Sequence, residues 1–472
     1  MDNSAQFGFL TKQLNAAPVY RLLAAFAQDE WKITPDLNLS LGLRWELDPA
    51  PTDAHGDNAY TLSGSLSDPS TLALAPRGTP LWETTWYNFA PRLGAAWTVR
   101  RTRGHETVVR AGGGVFFDSD NQLASDAFSG IGFYGFRTLS PATLPITSSA
   151  LDFSPSISSP YTSSVIYAFP PHLQLPYTLE WNVSVQQALG KSQALTLSYV
   201  GSNGRRLIQE HVLSLNSLNP NFGSVAYEQG GVTSNYQALQ VQFQRTVSHG
   251  LQVLGAYTWS HSLDFGSTNL ARSATRGNSD FDLRNNFSAG ASWDIPNIAN
   301  SKILGALLNR WGADAHVIAR SGFPITLLGN YLIDPATGTT EYGNVNRVSS
   351  QPLYLYGSQY PGGRVLNRLA FVLPSGDESG NFPRNSARGF GAEQFNTALR
   401  REFPLYDRLT LQFRAEAFNI FNHPNFGYVD PTLTDATFGQ ATAMLNQSLA
   451  TMSAQYQQGG PRSMQFALRF QF

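Results

Sequence analysis

The sequence contains no cysteine, and only 14% of its 472 residues are charged. The absence of cysteine excludes disulfides, thiolate metal sites and a cysteine nucleophile within these residues. Ordinary soluble proteins carry about 25% charged residues, so the composition is unusually poor in groups that favour water. The net charge of −1 gives no electrostatic reason to expect a nucleic-acid partner.

Long apolar runs are missing as well. A membrane helix needs about 18 consecutive apolar residues. The richest candidate, residues 20–27, is short and is interrupted by Arg21. The sequence therefore predicts no membrane-spanning helix, and any membrane segment has to be sought among strands.

Alternation of apolar and polar side chains is present instead, and it is clearest at the end of the chain. The even positions of residues 464–472 are all large and apolar, namely Met464, Phe466, Leu468, Phe470 and Phe472. Because successive strand residues point to opposite faces, this pattern predicts a strand with one apolar face. A soluble protein would bury that face against a second sheet. The terminal position and the final Phe472 favour contact with lipid.

Residues 37–47 show the same alternation over a greater length. Their odd positions are leucine or tryptophan, and their even positions are polar or glycine. At about 3.3 Å per residue and about 45° of tilt, such a strand rises about 25 Å, the height of an outer-membrane apolar band. Strands of soluble proteins are typically about half as long.

The pattern recurs along the whole chain as hairpins. We predict strands at residues 20–32, 37–47, 87–99, 106–118, 177–189, 193–200, 236–247, 251–260, 283–293, 311–326, 395–403, 409–421 and 464–472, with a fourteenth suggested at residues 6–14. The links between them alternate between short and long, with links of intermediate length at residues 201–235 and 261–282. The modest link 295–310 has a helical pattern at residues 303–308. Short periplasmic turns and long extracellular loops are typical of transmembrane barrels. The predicted fold is therefore an all-β antiparallel transmembrane barrel.

Tryptophan positions agree with this prediction. Tryptophans gather near strand ends, at Trp45, Trp181 and Trp259 on the long-loop side, with Trp82 and Trp86 just before a strand, and at Trp31, Trp97, Trp293 and Trp311 on the short-turn side. Tryptophan concentrates at both membrane interfaces because one edge of its ring is apolar and the other polar.

Several stretches resemble TonB-dependent outer-membrane receptors, in particular the Oar-like group. AQDEWKITP at residues 27–35, followed by LSLGLRWE at 39–46, is similar to one hairpin of that group. Further similar stretches are residues 89–94, 109–118, 198–204, 257–262, 280–285 and 418–427. The resemblance implies a plugged barrel of 22 strands that imports a nutrient with energy from TonB. It also implies that the terminal aromatic residues, Phe470 and Phe472, are read by the barrel-assembly machinery.

The resemblance also sets the expected domain organisation. Residues 20–472 correspond to the barrel, and residues 1–19 to a remnant of a preceding strand or loop. Residues 1–6 lack the basic region and apolar core of a signal peptide, and residues 1–19 are too few for a plug. We therefore expect these residues to be the carboxyl-terminal portion of something longer, with 13 or 14 of the 22 strands.

The polar face of the predicted strands supplies the candidate site residues. In a barrel these residues would line the lumen: Arg44, Glu46, Arg414, Glu416 and Arg469. Mixed charge on a wide lumen is typical of a hydrated wall or of contacts to a plug, and a ligand site is the less favoured interpretation.

Other chemistries find little support. The eight histidines are scattered without metal-ligand spacing. Ser260 and His261 with Asp264 suggest a hydrolase only weakly, since no Gly-x-Ser-x-Gly elbow accompanies them. Residues 112–114 are three glycines inside a predicted strand rather than a phosphate loop. We expect no cofactor, no metal and no enzymatic activity.

Two functions stay open on these grounds. The first is the barrel of a TonB-dependent transporter for a bulky nutrient such as an oligosaccharide, a peptide or a chelate. The second is a passive outer-membrane barrel, or a surface-binding protein, that acts through its extracellular loops. The expected partners are outer-membrane lipid, the barrel-assembly machinery and, through a plug outside these residues, the TonB system.

Overall fold

We describe a computed structural model of the chain, in residues 4–118, 122–161, 165–215, 217–267, 275–333, 340–376, 378–406, 408–448 and 459–472. One antiparallel sheet dominates it, and we call the main path of this sheet the wall. The wall strands are β1 Leu23–Thr34, β2 Leu37–Leu47, β3 Asn88–Arg100, β4 Thr107–Phe117, β5 Tyr177–Ala188, β6 Gln193–Ser214, β7 Ser224–Ser248, β8 Leu251–Asp264, β9 Asn285–Asp294, β10 Trp311–Arg320, β11 Ala392–Tyr406, β12 Leu409–Phe418 and β13 Ser463–Gln471. Each strand pairs with its neighbours in the sequence, which confirms the predicted succession of hairpins.

The register of the wall gathers the apolar side chains on one face. Leu41 of β2 lies opposite Leu93 of β3, and Leu411 of β12 lies opposite Phe470 of β13. Side chains in both strands of a pair point to alternate faces with period two. One matched pair of apolar residues therefore places all the apolar side chains of both strands on the same face. We call this side the apolar face and the opposite side the polar face. The apolar side chains are exposed, Leu93 by 62% and Phe466 by 69%, as a lipid-facing surface requires.

Short links join the hairpins on one side, and long links lie on the other. The short links are 35–36, 101–106, 189–192, 249–250, 295–310 and 407–408, of which residue 407 lies outside the described part. The β7–β8 turn shows why such a link suffices. His249 and Gly250 have φ of 53° and 74°, the left-handed conformation that a two-residue hairpin turn needs.

Further short strands occupy the long links. They are Ser4–Ala5, Gly8–Gln13, Pro18–Val19, Thr52–Asp53, Leu62–Ser65, Asp68–Leu74, Tyr134–Leu139, Ala142–Thr143, Ile166–Ala168, Gly277–Asn278, Pro324–Ile325, Leu328–Ile333, Thr340–Asn344, Asn346–Arg347, Tyr354–Tyr356, Arg364–Leu366, Phe371–Val372 and Ala387–Arg388. The helices are α1 Ser148–Leu151, α2 Lys302–Leu308 and α3 Leu445–Ser448, with 3-10 turns at Gln122–Ser129, Pro361–Gly363 and Arg368–Ala370. Within the described residues, none of the helices has the length and hydropathy to cross a membrane.

Two predicted boundaries differ from the structure. β6 and β7 extend to Ser214 and start at Ser224, so most of the predicted link between them is strand. Residues 6–14 do contain a strand, Gly8–Gln13, but it pairs with Tyr134–Leu139 among the long links. It adds no fourteenth strand to the wall.

The wall does not close on itself. β1 pairs only with β2 and β13 only with β12, and no pairing joins β1 to β13 within the described residues. All twelve residues of β1 are exposed. Both edges therefore carry backbone N–H and C=O groups that have no partner strand.

The tryptophans divide between the wall and the loops. Trp45 and Trp86 stack at 6.3 Å on the long-loop side, and Trp97 and Trp293 are half-exposed on the short-turn side. Trp82 departs from the predicted interfacial position. It is 3% exposed and packs against Phe169 at 5.2 Å among the long links.

The register predicts a contrast between neighbouring positions of one strand. Arginine at Leu41 or Leu411 should cost about 2–4 kcal/mol, because these side chains face lipid near mid-height. Arginine at Ser40 or Gln412, on the polar face, should cost little. Urea titration in vesicles of the chain with the missing strands supplied, followed by heat-modifiable mobility, measures the difference. Equal losses at all four positions would contradict the assignment of the faces.

The predicted topology is tested separately on intact cells. Lys191→Cys lies in a short turn and should resist a membrane-impermeant thiol reagent, since that turn should face the periplasm. Ser156→Cys lies in a long loop and should react. The reverse labelling pattern would invert the orientation of the wall.

Candidate functional site

The first pair of predicted lumen residues lies together on the polar face. Arg44 and Glu46 are two positions apart on β2, so their side chains point the same way. The Arg44 guanidinium forms an ion pair with the Glu46 carboxylate. Glu46 is only 6% exposed, so its charge is satisfied by this neighbour rather than by water.

The second pair belongs to a larger charged network across four strands. Arg414 Nε lies 2.8 Å from Glu416 Oε1 on β12, and Arg414 Nη1 lies 2.5 Å from Asp314 Oδ2 on β10. Arg400 of β11 contacts Asp314 at 3.4 Å and Asp294 of β9 at 2.6 Å. Two guanidinium groups thus pair with three carboxylates, so each charged group has an opposite partner and the network carries one net negative charge.

The remaining predicted residues lie on β13 and its end. Arg469 is opposite Gln412 on the polar face and is exposed. Phe470 and Phe472 are 56% and 94% exposed, with Phe470 on the apolar face. Their roles in lumen lining and in assembly stay predictions.

The long links pack into a folded body on one side of the wall. Three buried clusters hold it together. The first includes Leu327, Val345 and Phe371, the second Trp82, Phe128 and Phe133, and the third Ile166, Phe222 and Val225. We call this body the loop assembly. It presents a defined surface rather than a set of separate loops.

Ion pairs fasten the loop assembly to the wall. Asp282 precedes β9 and is fully buried, and it pairs with Arg284 at 2.9 Å and with Arg388 from a distant link. Arg384 reaches Asp280 at 3.2 Å and also pairs with Asp264 at the end of β8. The buried Asp282 carboxylate thus has two cationic partners, as low-dielectric surroundings require.

The extension of β6 and β7 beyond the bilayer carries an acidic pair. Glu210 and Glu228 are cross-strand partners, and Asp126 lies near enough to act on the same carboxyl. Glu228 is fully buried, and neither of its carboxylate oxygens has a hydrogen-bond donor within the described residues. Burial first, and then Glu210 and Asp126, raise the pKa of Glu228 to about 8. The same surroundings raise the pKa of Tyr167, chiefly through burial.

The structure does not bring together the residues of the other chemistries that the sequence supported weakly. Ser260 Oγ donates to the Leu283 carbonyl at 2.6 Å, and His261 Nε2 lies 3.0 Å from Asn278 Oδ1, so this serine and histidine have other partners. Gly113 lies inside β4 opposite Trp181. In the part of the chain that the structure describes, no group of three or more His, Asp or Glu residues could hold a metal ion.

Sequence reasoning missed several residues of this site. Asp314 and Arg400 occupy the polar positions of their strands, so the parity that selected Arg414 also selects them. Arg388 and Glu228 had no such signal. The first lies in a long link, and the second lies where both faces of the strand are covered.

The Glu228 pKa predicts a pH-dependent loop assembly. A folded-state pKa raised above its ordinary value means that the protonated carboxyl stabilises the fold fully at acidic pH, and that this contribution is lost as pH rises through about 8. Protease cleavage of the long loops on intact cells should therefore accelerate between about pH 5 and pH 8, the range from just above the ordinary carboxyl pKa to the raised one. Glu228→Gln, which stays neutral, should remove most of that acceleration. An unchanged profile would show that Glu228 does not titrate in this range.

Three of the solved structures to which the chain is similar are two outer-membrane receptors and an iron transporter. The pyoverdine receptor FpvA of Pseudomonas aeruginosa is 12% identical, with a TM-score of 0.45 over 96% of this chain and 42% of that chain. The ferric-catecholate import receptor Fiu of Escherichia coli K12 is 12% identical, with a TM-score of 0.45 over 95% of this chain and 44% of that chain. The iron transporter FrpB of Neisseria meningitidis is 10% identical, with a TM-score of 0.47 over 96% of this chain and 46% of that chain. The chain thus spans less than half of these proteins, and TM-scores below 0.5 carry no conclusion on its function.

The family assignment comes from the sequence profile. No curated protein matches the chain. A family described as "Outer membrane beta barrel domain" matches residues 1–465, which reach into β13. This match confirms the predicted fold class and the location in the outer membrane of a Gram-negative bacterium. The chain therefore belongs to the outer membrane β-barrel domain family.

Proposed function

We propose that this chain forms most of the barrel of a TonB-dependent transporter that takes up a bulky nutrient, such as an oligosaccharide, a peptide or a chelate. The observation that carries the proposal is the open wall, whose two edges do not pair with each other within the described residues. Backbone groups in hydrocarbon need partners, so further strands have to cover those edges. A barrel of 22 strands, the size that the family resemblance implies, holds a plug in its lumen, whereas barrels of 16–18 strands leave an open channel.

The direction of the edge strands supports this proposal. β1 and β13 both run from the long-loop side to the short-turn side, because each of them ends at that side. They would therefore meet in parallel if the wall closed directly. An antiparallel closure needs an odd number of additional strands. The wall has 13 strands, so the number of strands that would complete a barrel of 22 is odd, as antiparallel closure requires.

The predicted lumen residues fit a wall that faces a hydrated space and a plug. Arg44, Glu46, Arg414, Glu416 and Arg469 lie on the polar face, and the first four are already paired with opposite charges. Such paired charges are well suited to contact water or a polar plug. We propose that nutrient specificity lies in the loop assembly and the plug rather than in these residues.

Assembly in the membrane would follow from the end of the chain. We propose that Phe470 and Phe472 are read by the barrel-assembly machinery, since both are exposed at the end of the last strand. Residues 1–19 would be the end of an extracellular loop that follows a preceding strand. In support, Gly8–Gln13 and Pro18–Val19 both pair with segments of other long links.

A second function is favoured by the loop assembly. Because its three buried clusters give it a defined surface, it would also suit a barrel that binds an external partner without TonB. In this case the wall would be only a support, and transport would be passive or absent. Both functions involve binding or passage rather than catalysis.

Expression of these 472 residues behind a signal peptide distinguishes the proposals. We expect little heat-modifiable protein in outer-membrane fractions, because open strand edges are costly in lipid. The control is the same chain with the additional strands and the plug of a related receptor fused before it. TonB-dependent uptake of labelled oligosaccharides or peptides by the 472 residues alone would refute the need for further strands. A folded pore that leaks small solutes without TonB would favour the second function.

A further inference from the structure

One link on the short-turn side differs from the others in length and in chemistry. Most of its counterparts are polar and only a few residues long, such as 35–36 and 101–106. Residues 295–310, between β9 and β10, instead contain α2. The link exposes a set of large apolar side chains, namely Ile298, Ile303, Leu304, Leu307 and Leu308.

The exposed side chains of α2 form a single face. At about 100° per residue, positions 303, 304, 307 and 308 fall within an arc of about 140°. Ile303 is 78% exposed and Leu307 is 60% exposed, so the protein does not use this face for its own packing. The link is held together on its polar side, where Asn309 Oδ1 accepts from the N–H groups of Ile298 and Ala299, each at 3.0 Å.

Two wall side chains hold α2 against the apolar face. Trp311 Nε1 donates to the Leu307 carbonyl at 3.0 Å, and the Arg401 guanidinium donates to the Ala306 carbonyl. Trp311 and Arg401 are cross-strand partners of β10 and β11. Both lie in the rows of the apolar face, so α2 lies on the lipid side of the wall rather than beneath the polar face.

Arg401 is suited to this depth. It is nine-tenths buried, and its guanidinium lies 5.1 Å from the Trp311 ring centroid and 4.6 Å from that of Phe403. Such cation–π contacts let a charged group remain at an apolar boundary. In the next row of the wall, Trp293 and Leu399 are about two-fifths exposed. An apolar surface therefore continues from α2 into the lipid-facing band.

The charge of the link fits a lipid headgroup layer. Residues 295–310 contain Lys302 and Arg310 but no Asp or Glu, and Arg310 is exposed. An amphipathic helix with basic residues binds the interface by burying its apolar face and by attracting anionic headgroups. A water-filled periplasm would leave the same leucines and isoleucine unprotected.

We propose that α2 is an interfacial anchor whose apolar face lies among the acyl chains of the leaflet at the short-turn side, with Arg310 facing anionic phospholipid headgroups. The expected depth is about 5–10 Å below the headgroup boundary. The anchor fixes the height of the β9–β10 hairpin in the membrane. It depends on the outer-membrane location of the chain and not on transport.

Spin labelling in vesicles of the chain with the additional strands supplied tests the anchor, and these 472 residues contain no cysteine that would interfere. A nitroxide at Ile303→Cys or Leu307→Cys should collide readily with oxygen and poorly with a water-soluble nickel complex. The matched control is Lys191→Cys, in a polar turn on the same side, for which we expect the opposite ratio. Heat-modifiable mobility verifies that each variant is folded.

Each other outcome counts against the proposal. A nickel accessibility at 303 and 307 equal to that at 191 would place α2 in water. Shielding from both reagents would mean that a protein partner covers the face. The headgroup component is tested with phosphatidylcholine vesicles, to which phosphatidylglycerol is then added. The oxygen-to-nickel ratio at 307 should rise several-fold in the native protein and not in Arg310→Gln, and an equal response would refute the role of charge.

Discussion

The structure depends on the need to pair every backbone N–H and C=O group that lies in hydrocarbon. Within the bilayer an unpaired group costs several kcal/mol, so strands there can exist only as members of a continuous ladder. The wall satisfies this requirement along its whole path except at β1 and β13. The exposed sides of these two strands are therefore the least stable part of the molecule in a membrane. Any account of function has to say what covers them.

The same environment explains which parts of the fold the sequence predicts. Between the two interfaces lipid covers one face of every strand, so the side chains alternate strictly and the thirteen wall strands can be identified. Above the bilayer, protein covers both faces of β6 and β7, where Val225 and Ala226 are neighbours and both are buried. Alternation disappears there, and these extensions were missed. Contact with lipid on one face therefore produces a period-two pattern of apolar side chains in the sequence. Contact with other loops produces no such pattern.

The candidate site divides along the same line. Arg414 and Glu416 were predicted to share a face because they are two positions apart on one strand, and the structure pairs them. Asp314 also lies at a polar position of its strand, so the alternation in the sequence could have identified it. Arg388 and Asp282 are more than 100 residues apart, and only the tertiary packing of the loop assembly brings them together. Strand periodicity therefore predicts the polar face, but it cannot predict the ion pairs that fasten the loops.

The two ends of the wall strands also differ in how they end. On the long-loop side the strands continue into protein, and buried ion pairs such as Asp282 with Arg284 replace lipid as the surroundings. On the short-turn side the strands stop within a few residues, so little protein is available to cover apolar side chains there. The α2 link is the exception, and its exposed leucines have only lipid within reach once Trp311 and Arg401 hold the helix against the apolar face. The two ends of the wall strands therefore differ in what covers their apolar side chains. Protein covers them on the long-loop side, and the membrane covers them on the short-turn side.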